Sequence, residues 1–199
     1  MQYFKPEVNL KWVTPNGDQM IADLARVSVK DNEGKPVEKL VRYMADHGHF
    51  SPFQMANMCV EVKAPRDISR QILRHSSMCG CQELSQRYSE VTEDMFVLRE
   101  MRLQHKTNRQ MSVDPDEQDP KHGDLSDWWE ETQRDHIQRS IEAYDDAIAQ
   151  GIAKEVARVI LPEGNTMSRL FLNGSVRTWI TYLQVRCNID TTQREHVWV

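Results

Sequence analysis

The chain has 199 residues, which is enough for one domain with its own core and too many for a small scaffold held by disulfides. With 25 Lys and Arg against 30 Asp and Glu, the net charge is −5, which argues against wrapping a nucleic-acid polymer. No run of about eighteen apolar residues is present, and the first residues lack a signal-peptide pattern. We therefore expect no membrane association and a cytoplasmic location.

The four cysteines lack the spacing of a secreted disulfide framework, so we expect reduced thiols. Only Cys79 and Cys81 lie close together, with Gly80 between them and His75 just upstream. Three ligands without a matching second pair are a weak signal for zinc, and a tight turn of small residues is favoured. The sequence therefore predicts no metal site.

A helix and a strand are predicted in the first third of the chain. Between Pro36 and His47 the apolar residues recur at i, i+3, i+4 and i+7, which is one face of a helix, and Gly48 is expected to end it. Between Phe53 and Lys63 the β-branched content increases and apolar and polar side chains alternate, which predicts a strand.

A second helix is predicted from Pro65, since the first helical turn tolerates proline. Arg66, Arg70 and Arg74 recur every four residues in it, so they are expected to line one face.

The second half is predicted to be mostly helical. The acidic stretch from Met111 to Ser126 is expected to be a surface loop, followed by helices over Ser126–Gln150, Ile152–Leu161 and Ser175–Cys187. The last helix is expected to bury its apolar stripe of Val176, Trp179, Ile180 and Leu183. These elements predict an α+β fold in a single domain over residues 1–199, mostly helical with a small antiparallel or mixed sheet.

The usual nucleotide-binding signatures are absent from the sequence. No two glycines are separated by a single residue, so no Rossmann fingerprint is present, and there is no Walker A loop. Arginines are then the candidates for holding a nucleotide, and they are dense before and after the turn that follows His75. Glu83, Ser85 and Arg87 are spaced as in an extended segment that presents alternate side chains to one ligand. Composition and spacing support an anion-binding cleft, with a solvated ion-pair network as the alternative.

Two ordered blocks of sequence resemble the flavin-dependent thymidylate synthases. HGHFSPF, PRDISRQILRH and QELSQRYSE resemble the signature region of that family, whose hallmark is R-H-R followed by seven residues and S. ARVILP, SVRTWITYLQVR and the Q-x-E from Gln193 to Glu195 are similar to its second block. The likeness covers about Val37 to Tyr88 and Val156 to Glu195, more than half of the chain.

The resemblance implies a helix-and-sheet fold without a Rossmann unit and a homotetramer whose active sites are each built from several subunits. It also implies FAD as cofactor, NADPH as the source of electrons, and methylenetetrahydrofolate as the donor of a one-carbon unit to C5 of dUMP, which gives dTMP.

Carried over position by position, the resemblance assigns nucleotide binding to Gln71, Arg74, Glu83, Ser85, Arg87, Arg158 and Arg186. It assigns flavin binding to His49, Ser51, Arg74, His75, Ser76, Glu83, Ser175, Arg177 and Thr181. Arg186 matches the arginine that contacts the uracil and promotes ionisation of N3, so it is the expected catalytic residue. Arginine suits this role because it stays protonated and can stabilise the developing enolate oxygen. A thiolate at Cys79 or Cys81 that adds to C6 is the less favoured alternative, since neither has an evident base.

The sequence departs from the family pattern mainly at flavin positions. Ser76 stands where the hallmark has its second arginine, and the turn from His75 to Glu83 is one residue longer than usual. Gln54 replaces a glutamate and Thr181 an asparagine. Because the nucleotide-binding arginines all remain, we expect binding of a pyrimidine deoxynucleotide, dUMP or dCMP, to be retained. The departures leave open whether flavin or folate use is altered.

Two alternatives to dTMP synthesis stay open. One is a transfer to C5 of dUMP or dCMP that leaves a hydroxymethyl group. The other is a catalytically silent nucleotide-binding member of the same fold.

Overall fold

The computed structural model describes residues 1–27, 36–75, 77–78, 80–109, 111–116 and 118–186. In these residues the α-helices hold about twice as many residues as the strands, and the largest sheet has four antiparallel strands. No doubly wound parallel sheet of the Rossmann type is present among the described strands. The α+β prediction, mostly helical with a small sheet, is therefore confirmed.

The main sheet consists, in spatial order, of β2 (Glu7–Val13), β3 (Asn57–Pro65), β8 (Met167–Ser175) and β4 (Gly80–Glu83). The two central strands pair along their whole length, with Asn57 opposite Ser175 and Pro65 opposite Met167.

The predicted strand from Phe53 to Lys63 is displaced in the structure. Residues Pro52–Gln54 form a 3₁₀ turn, in which the Gln54 amide donates to the Ser51 carbonyl at 3.2 Å, and β3 begins only at Asn57 and continues to Pro65. Proline at the first position favours such a turn, because its ring fixes φ and it has no amide proton to satisfy.

Two helices, α3 (Arg66–Ile72) and α6 (Val176–Arg186), pack against one face of this sheet. Each begins directly after a central strand, and those strands are antiparallel, so the helices start from opposite ends of the sheet. Their C-terminal ends meet. Leu183, predicted to be buried, is 53% exposed, and Tyr182 lies in the core in its place.

A second cluster of buried side chains joins α1 (Gly17–Arg26) and α2 (Val37–Asp46) to the 3₁₀ turn. The helix predicted between Pro36 and His47 is confirmed. Gly48 follows it with φ of 70°, a left-handed conformation that glycine adopts without steric cost.

The acidic segment is partly ordered into regular structure, so the predicted loop to Ser126 is too long. β7 (Ser112–Val113) pairs with β6 (Leu103–Gln104), and α4 spans Pro120–Ala149. The side chain of Asp119 caps this helix by accepting from the Lys121 amide at 3.0 Å. The predicted start six residues later missed this cap.

The helix predicted over Ile152–Leu161 is shorter in the structure. α5 spans only Lys154–Ala157, and Arg158–Ile160 continue as a 3₁₀ turn. Pro162 disfavours a helical conformation at the residue before it, so the chain tightens and leaves the helix early.

The short strands β1 (Gln2–Tyr3) and β5 (Val97–Leu98) pair in parallel beside a third cluster of buried residues. Ile137, Ile141, Tyr144 and Ile148 of α4 belong to this cluster, and Ile137 and Tyr144 are almost fully buried. No helix in the described ranges is long and apolar enough to cross a bilayer.

Candidate active site

The meeting point of α3 and α6 places Arg186 against His75. Nε of Arg186 donates to Nε2 of His75 at 2.8 Å, and the ring of Tyr182 packs edge-on against the imidazole with centroids 4.8 Å apart. Because a guanidinium only donates, Nε2 must be unprotonated and the imidazole neutral. Partial burial and the charge of Arg186 both lower the pKa of His75, which favours this neutral form.

Most arginines in the described part of the chain lie within 4.0 Å of a carboxylate. Those without such a partner there are Arg74, Arg109, Arg158, Arg177 and Arg186. Four of these five are predicted site residues. Their positive charges are not offset within the described residues, which suits the binding of anionic groups.

A cavity of about 300 Å³ lies between α3 and the Arg158–Ile160 turn. Guanidiniums from Arg66, Arg70 and Arg158 line it together with Gln86 and Glu163. Arg66 is buried, and its burial and the neighbouring guanidiniums lower its pKa, while the charge of Glu83 opposes that shift. The cavity is therefore rich in hydrogen-bond donors and positive charge.

Two carboxylates offset part of this charge. Glu83 lies 3.4 Å from Nη1 of Arg66 and accepts from the Ser168 hydroxyl at 2.8 Å. Glu163 accepts from Nε of Arg70 at 2.9 Å. Arg158 donates instead to a backbone carbonyl, that of Glu155, at 3.2 Å. Three guanidiniums thus face two carboxylates, and one positive charge remains for a ligand.

The prediction of an extended segment from Glu83 to Arg87 is wrong. β4 ends at Glu83, and the next residues turn, with the Ser85 hydroxyl accepting from the Arg87 amide at 3.3 Å. The turn directs Arg87 to the Glu155 carboxylate, 3.5 Å from its Nη2. Since Arg158 donates to the backbone of the same Glu155, the structure brings these two predicted arginines together.

Five of the predicted flavin residues, His49, Ser51, Ser175, Arg177 and Thr181, lie around the start of α6. His49 and Ser51 are exposed and precede the 3₁₀ turn, and Arg177 and Thr181 are exposed on the first turns of α6. The two segments are in contact, because residues of the 3₁₀ turn and of α6 belong to one apolar cluster. Ser175 is buried, and its hydroxyl accepts from the Thr178 amide at 3.2 Å, so it caps α6.

The remaining predicted residues are Gln71, Ser76 and the two cysteines of the turn. Ser76 and Cys79 lie outside the described residues. Gln71 is half-buried on α3. Cys81 is a free thiol on β4, and burial together with the charge of Glu83 raises its pKa, which disfavours the thiolate that a nucleophile requires.

The sequence did not predict that Gln86 and Glu163 line the 300 Å³ cavity. It also did not predict the carboxylate partners of Arg66 and Arg70. Arg66 and Arg70 were expected on one helix face, and both line the cavity, but their carboxylate partners come from distant segments. Gln86 lies inside QELSQRY at a position without a motif residue, and Glu163 follows Pro162 in a loop. The only sequence signal for either residue was the position of Gln86 between the motif residues Ser85 and Arg87.

A larger cavity of about 930 Å³ lies between α4 and the Arg99–Gln104 segment and contains no predicted site residue. Two of its polar side chains are paired within the protein: Arg99 with Asp67, and Gln133 with the backbone of Arg99. Those groups do not call for a ligand.

The fold of this chain resembles that of a solved nucleotide-modifying enzyme. The crystal structure of the UMP/dUMP methylase PolB from Streptomyces cacaoi, bound with 5-Br UMP, superposes with a TM-score of 0.80 at 25% identity. The match covers 100% of this chain and 88% of that one. The chain therefore shares its fold with PolB.

Sequence comparisons are more specific. The family model described as thymidylate synthase complementing protein matches residues 9–199. The flavin-dependent thymidylate synthase of Synechocystis sp. is 41% identical over 192 residues, which cover 96% of this chain and 85% of that protein. The probable flavin-dependent thymidylate synthase of Paramecium bursaria Chlorella virus 1 is 38% identical over 182 residues, which cover 90% of this chain and 80% of that protein. The chain belongs to the flavin-dependent thymidylate synthase family, as the resemblance predicted.

Proposed function

We propose that the protein transfers a one-carbon unit from methylenetetrahydrofolate to C5 of dUMP and reduces it to the methyl group of dTMP, with FAD as cofactor and NADPH as reductant. The observation that carries this proposal is the 2.8 Å contact between Arg186 and His75. It joins the two separate sequence blocks that resemble the family, at the residues that the resemblance assigns to the uracil and the flavin.

Arg186 is proposed to act on the uracil ring. Its guanidinium has no carboxylate partner in the described residues, so its charge remains available to a uracil oxygen as C5 becomes nucleophilic. Nε of Arg186 donates to the neutral His75, so the two Nη groups of Arg186 remain as donors for a ligand. A planar fork of this kind matches the oxygen and N3 of a uracil anion.

The rest of the nucleotide is proposed to bind along the arginines that follow. Arg158 offers the uncompensated charge of the 300 Å³ cavity, and Arg87 lies beside it through Glu155. Arg74, exposed two residues after α3 ends, offers a further guanidinium that has no carboxylate partner in the described residues. Gln71, Glu83 and Ser85 complete the proposed nucleotide site, the latter two shaping it through the contacts described above.

The residues present fit a flavin. The guanidinium of Arg177, which has no carboxylate partner in the described part of the chain, suits the flavin phosphates. The exposed side chains of His49, Ser51 and Thr181 supply hydrogen-bonding groups beside it. His75, Ser76, Arg74, Glu83 and Ser175 are the other positions proposed to hold it. When bound, the flavin supplies the hydride that converts the transferred carbon into a methyl group. The protein's part is to hold the uracil in its ionised form beside that group.

A homotetramer with shared active sites is part of the proposal. Apolar side chains next to the site arginines are strongly exposed: Tyr88 beside Arg87 at 80%, Val159 beside Arg158 at 76%, and Val185 beside Arg186 at 52%. Exposed apolar groups that surround charged groups are typical of surfaces covered by another subunit. Sedimentation is expected to give a mass about four times 23.3 kDa. The free thiols of Cys59 and Cys81 support the proposed cytoplasmic location.

The visible absorption spectrum of the purified protein tests the cofactor assignment. We expect a bound-flavin band after FAD is added and a shift of that band when dUMP follows. UMP is the sharpest competitor, because the structurally similar PolB is named a methylase of both UMP and dUMP. A spectrum that neither nucleotide changes, together with no turnover of dUMP, UMP or dCMP, would leave only the catalytically silent alternative.

A further inference from the structure

Three side chains of α6 face the segment that begins at His75. Thr178, Tyr182 and Arg186 recur every four residues, so they lie on one face of the helix. The ring of Tyr182 packs edge-on against the imidazole of His75, to which Arg186 donates. Two turns earlier on the helix, the Thr178 hydroxyl donates to the Ser77 carbonyl at 2.9 Å. One helix face therefore holds both the histidine and the backbone that follows it.

The hydrogen bonds around Thr178 have a fixed direction. A carbonyl oxygen only accepts, so the single hydroxyl proton of Thr178 is committed to Ser77. The Ser175 hydroxyl lies 3.1 Å from Oγ1 of Thr178 and must then donate to it. The same Ser175 oxygen accepts from the Thr178 amide at 3.2 Å. One buried hydroxyl thus joins the N-terminal cap of α6 to the segment after His75.

Packing restricts the position of Thr178 further. A Cβ atom at Gly174 would lie 3.0 Å from Cγ2 of Thr178 and 3.3 Å from the sulfur of Met78, closer than the 3.5–4.0 Å at which carbon atoms pack best. Met78 packs against the core cluster that contains Tyr182, and its amide donates to the His75 carbonyl at 3.1 Å. The backbone of His75 is therefore tied to a segment that α6 and the core hold at two adjacent residues.

The placement of His75 decides the orientation of Arg186. Their contact is a single hydrogen bond of 2.8 Å, so a shift of the imidazole by about 1 Å would take it beyond hydrogen-bond range. Arg186 would then lose the partner that orients its guanidinium. Misplacement of a reacting group by about 1 Å can lower turnover substantially even when the altered residue lies away from the chemistry.

We propose that Thr178 is a positioning residue, whose hydroxyl anchors the segment after His75 to α6 and so keeps the imidazole in place as the acceptor for Arg186. The inference rests on the proposed function for the role of Arg186, and it adds a residue that the family resemblance does not assign. Thr178 acts through His75. The Ser175 hydroxyl supports it as the donor to Thr178.

Turnover and dUMP binding by Thr178→Val test the kinetic consequence. Valine keeps the shape and removes the hydroxyl, so kcat is expected to fall about tenfold, while the Kd of dUMP changes less than about twofold because the arginines of the proposed nucleotide site are unchanged. The thermal midpoint should fall by less than about 4 °C, the scale of one hydrogen bond in a chain of this length. Thr178→Ser keeps the hydroxyl and should keep kcat within about twofold. Thr132→Val, at an exposed position of α4, is the matched control and should behave as wild type.

The imidazole signals of His75 test the anchor without substrate. Above the ordinary pKa of histidine, nitrogen-15 spectra of ring-labelled protein distinguish a nitrogen that accepts from one that carries a proton. In wild type and in Thr178→Ser, Nε2 of His75 should be the unprotonated nitrogen, as the contact with Arg186 requires. In Thr178→Val the two tautomers should mix. Loss of the signal in His75→Gln assigns it.

Wild-type kcat in Thr178→Val, or His75 signals that this substitution leaves unchanged, would overturn the inference. An equal loss of kcat in Thr178→Ser would also contradict it, because packing and not the hydroxyl would then be responsible. A wild type that shows the expected tautomer and the expected response to Thr178→Val, but forms no dTMP, would refute the proposed function and leave the anchor in place.

Discussion

The proposed nucleotide side and the proposed flavin side of the candidate site are built differently. On the nucleotide side, Arg66, Arg70 and Arg87 are held by ion pairs, and Arg186 is held by His75. On the flavin side, Arg177 is exposed and has no carboxylate partner in the described residues. A charged group fixed by its own chain is positioned before a ligand arrives, whereas an exposed one is ordered by the ligand or by another subunit. The nucleotide side is therefore preorganised within one chain.

The largest effect is expected from Arg186→Ala. Loss of the charge that we propose stabilises the uracil anion should lower kcat about 100- to 1000-fold, as the loss of a single oxyanion donor does. The free energy of unfolding should change little, because the side chain is at the end of α6 and outside the apolar core. Arg139→Ala, which removes an exposed helical arginine paired only with Asp135, is the control and should keep full turnover. Normal turnover by Arg186→Ala would remove Arg186 from catalysis.

Next in size is the effect of Arg66→Met on stability. Arg66 is 6% exposed, and its removal leaves Glu83 half-buried without its cation. We expect the free energy of unfolding to fall by about 2–3 kcal/mol, toward the low end for a broken buried pair because Glu83 keeps some solvent. Urea unfolding measures this, and Arg66→Met combined with Glu83→Gln should recover part of the loss. An unchanged midpoint would mean that the nucleotide side is not held by this pair.

Arg177→Ala should act on the flavin alone. Removing one charge-assisted contact is expected to weaken FAD binding about tenfold, while dUMP binding and the urea midpoint stay the same, because Arg177 has no partner in the described residues to release. Fluorescence titration with FAD measures the change. An equal loss of dUMP affinity would contradict the separation of the two sides.

The smallest effect is a pH dependence through His75. Because the folded protein lowers the pKa of His75 below its ordinary 6.5, the unfolded chain binds more protons. Its contribution to stability is complete above pH 6.5 and is lost as the pH falls toward the lowered pKa, with a slope of at most about 1.4 kcal/mol per pH unit. Protonation also removes the acceptor for Arg186, so turnover should fall over the same range.

His75→Gln, which cannot be protonated, should flatten this part of the pH profile of stability. His136→Gln on the exposed face of α4 is the control and should leave the profile as it is. A wild-type profile without a decline below pH 6.5 would contradict the neutral imidazole.

The sequence predicted the helices better than the sheet, for physical reasons. α2 and α6 have strong apolar periodicity, and their bounds agree to within a residue or two. β8 alternates buried and exposed residues, but its sequence MSRLFLNGS contains no β-branched residue and ends in Asn-Gly-Ser, which is typical of loops. β2 is an exposed edge strand and has no buried face to mark its register.

The candidate site was predicted as a set of residues but not as a set of contacts. The motifs pointed to Arg158 and Arg186, and neither has a carboxylate partner in the described residues. They did not predict that Arg66 pairs with Glu83, because partners on separate elements leave no spacing signal in a single sequence. The buried amide of Gln86, whose Nε2 has no hydrogen-bond partner among the described residues, is visible only once the fold encloses it.

The most direct test of the central claim is the mass of the nucleotide formed from dUMP with FAD, NADPH and methylenetetrahydrofolate labelled at its methylene carbon. We predict labelled dTMP as the product. Recovery of unchanged dUMP by a protein that binds it, or of a labelled hydroxymethyl nucleotide, would contradict the proposed methylation.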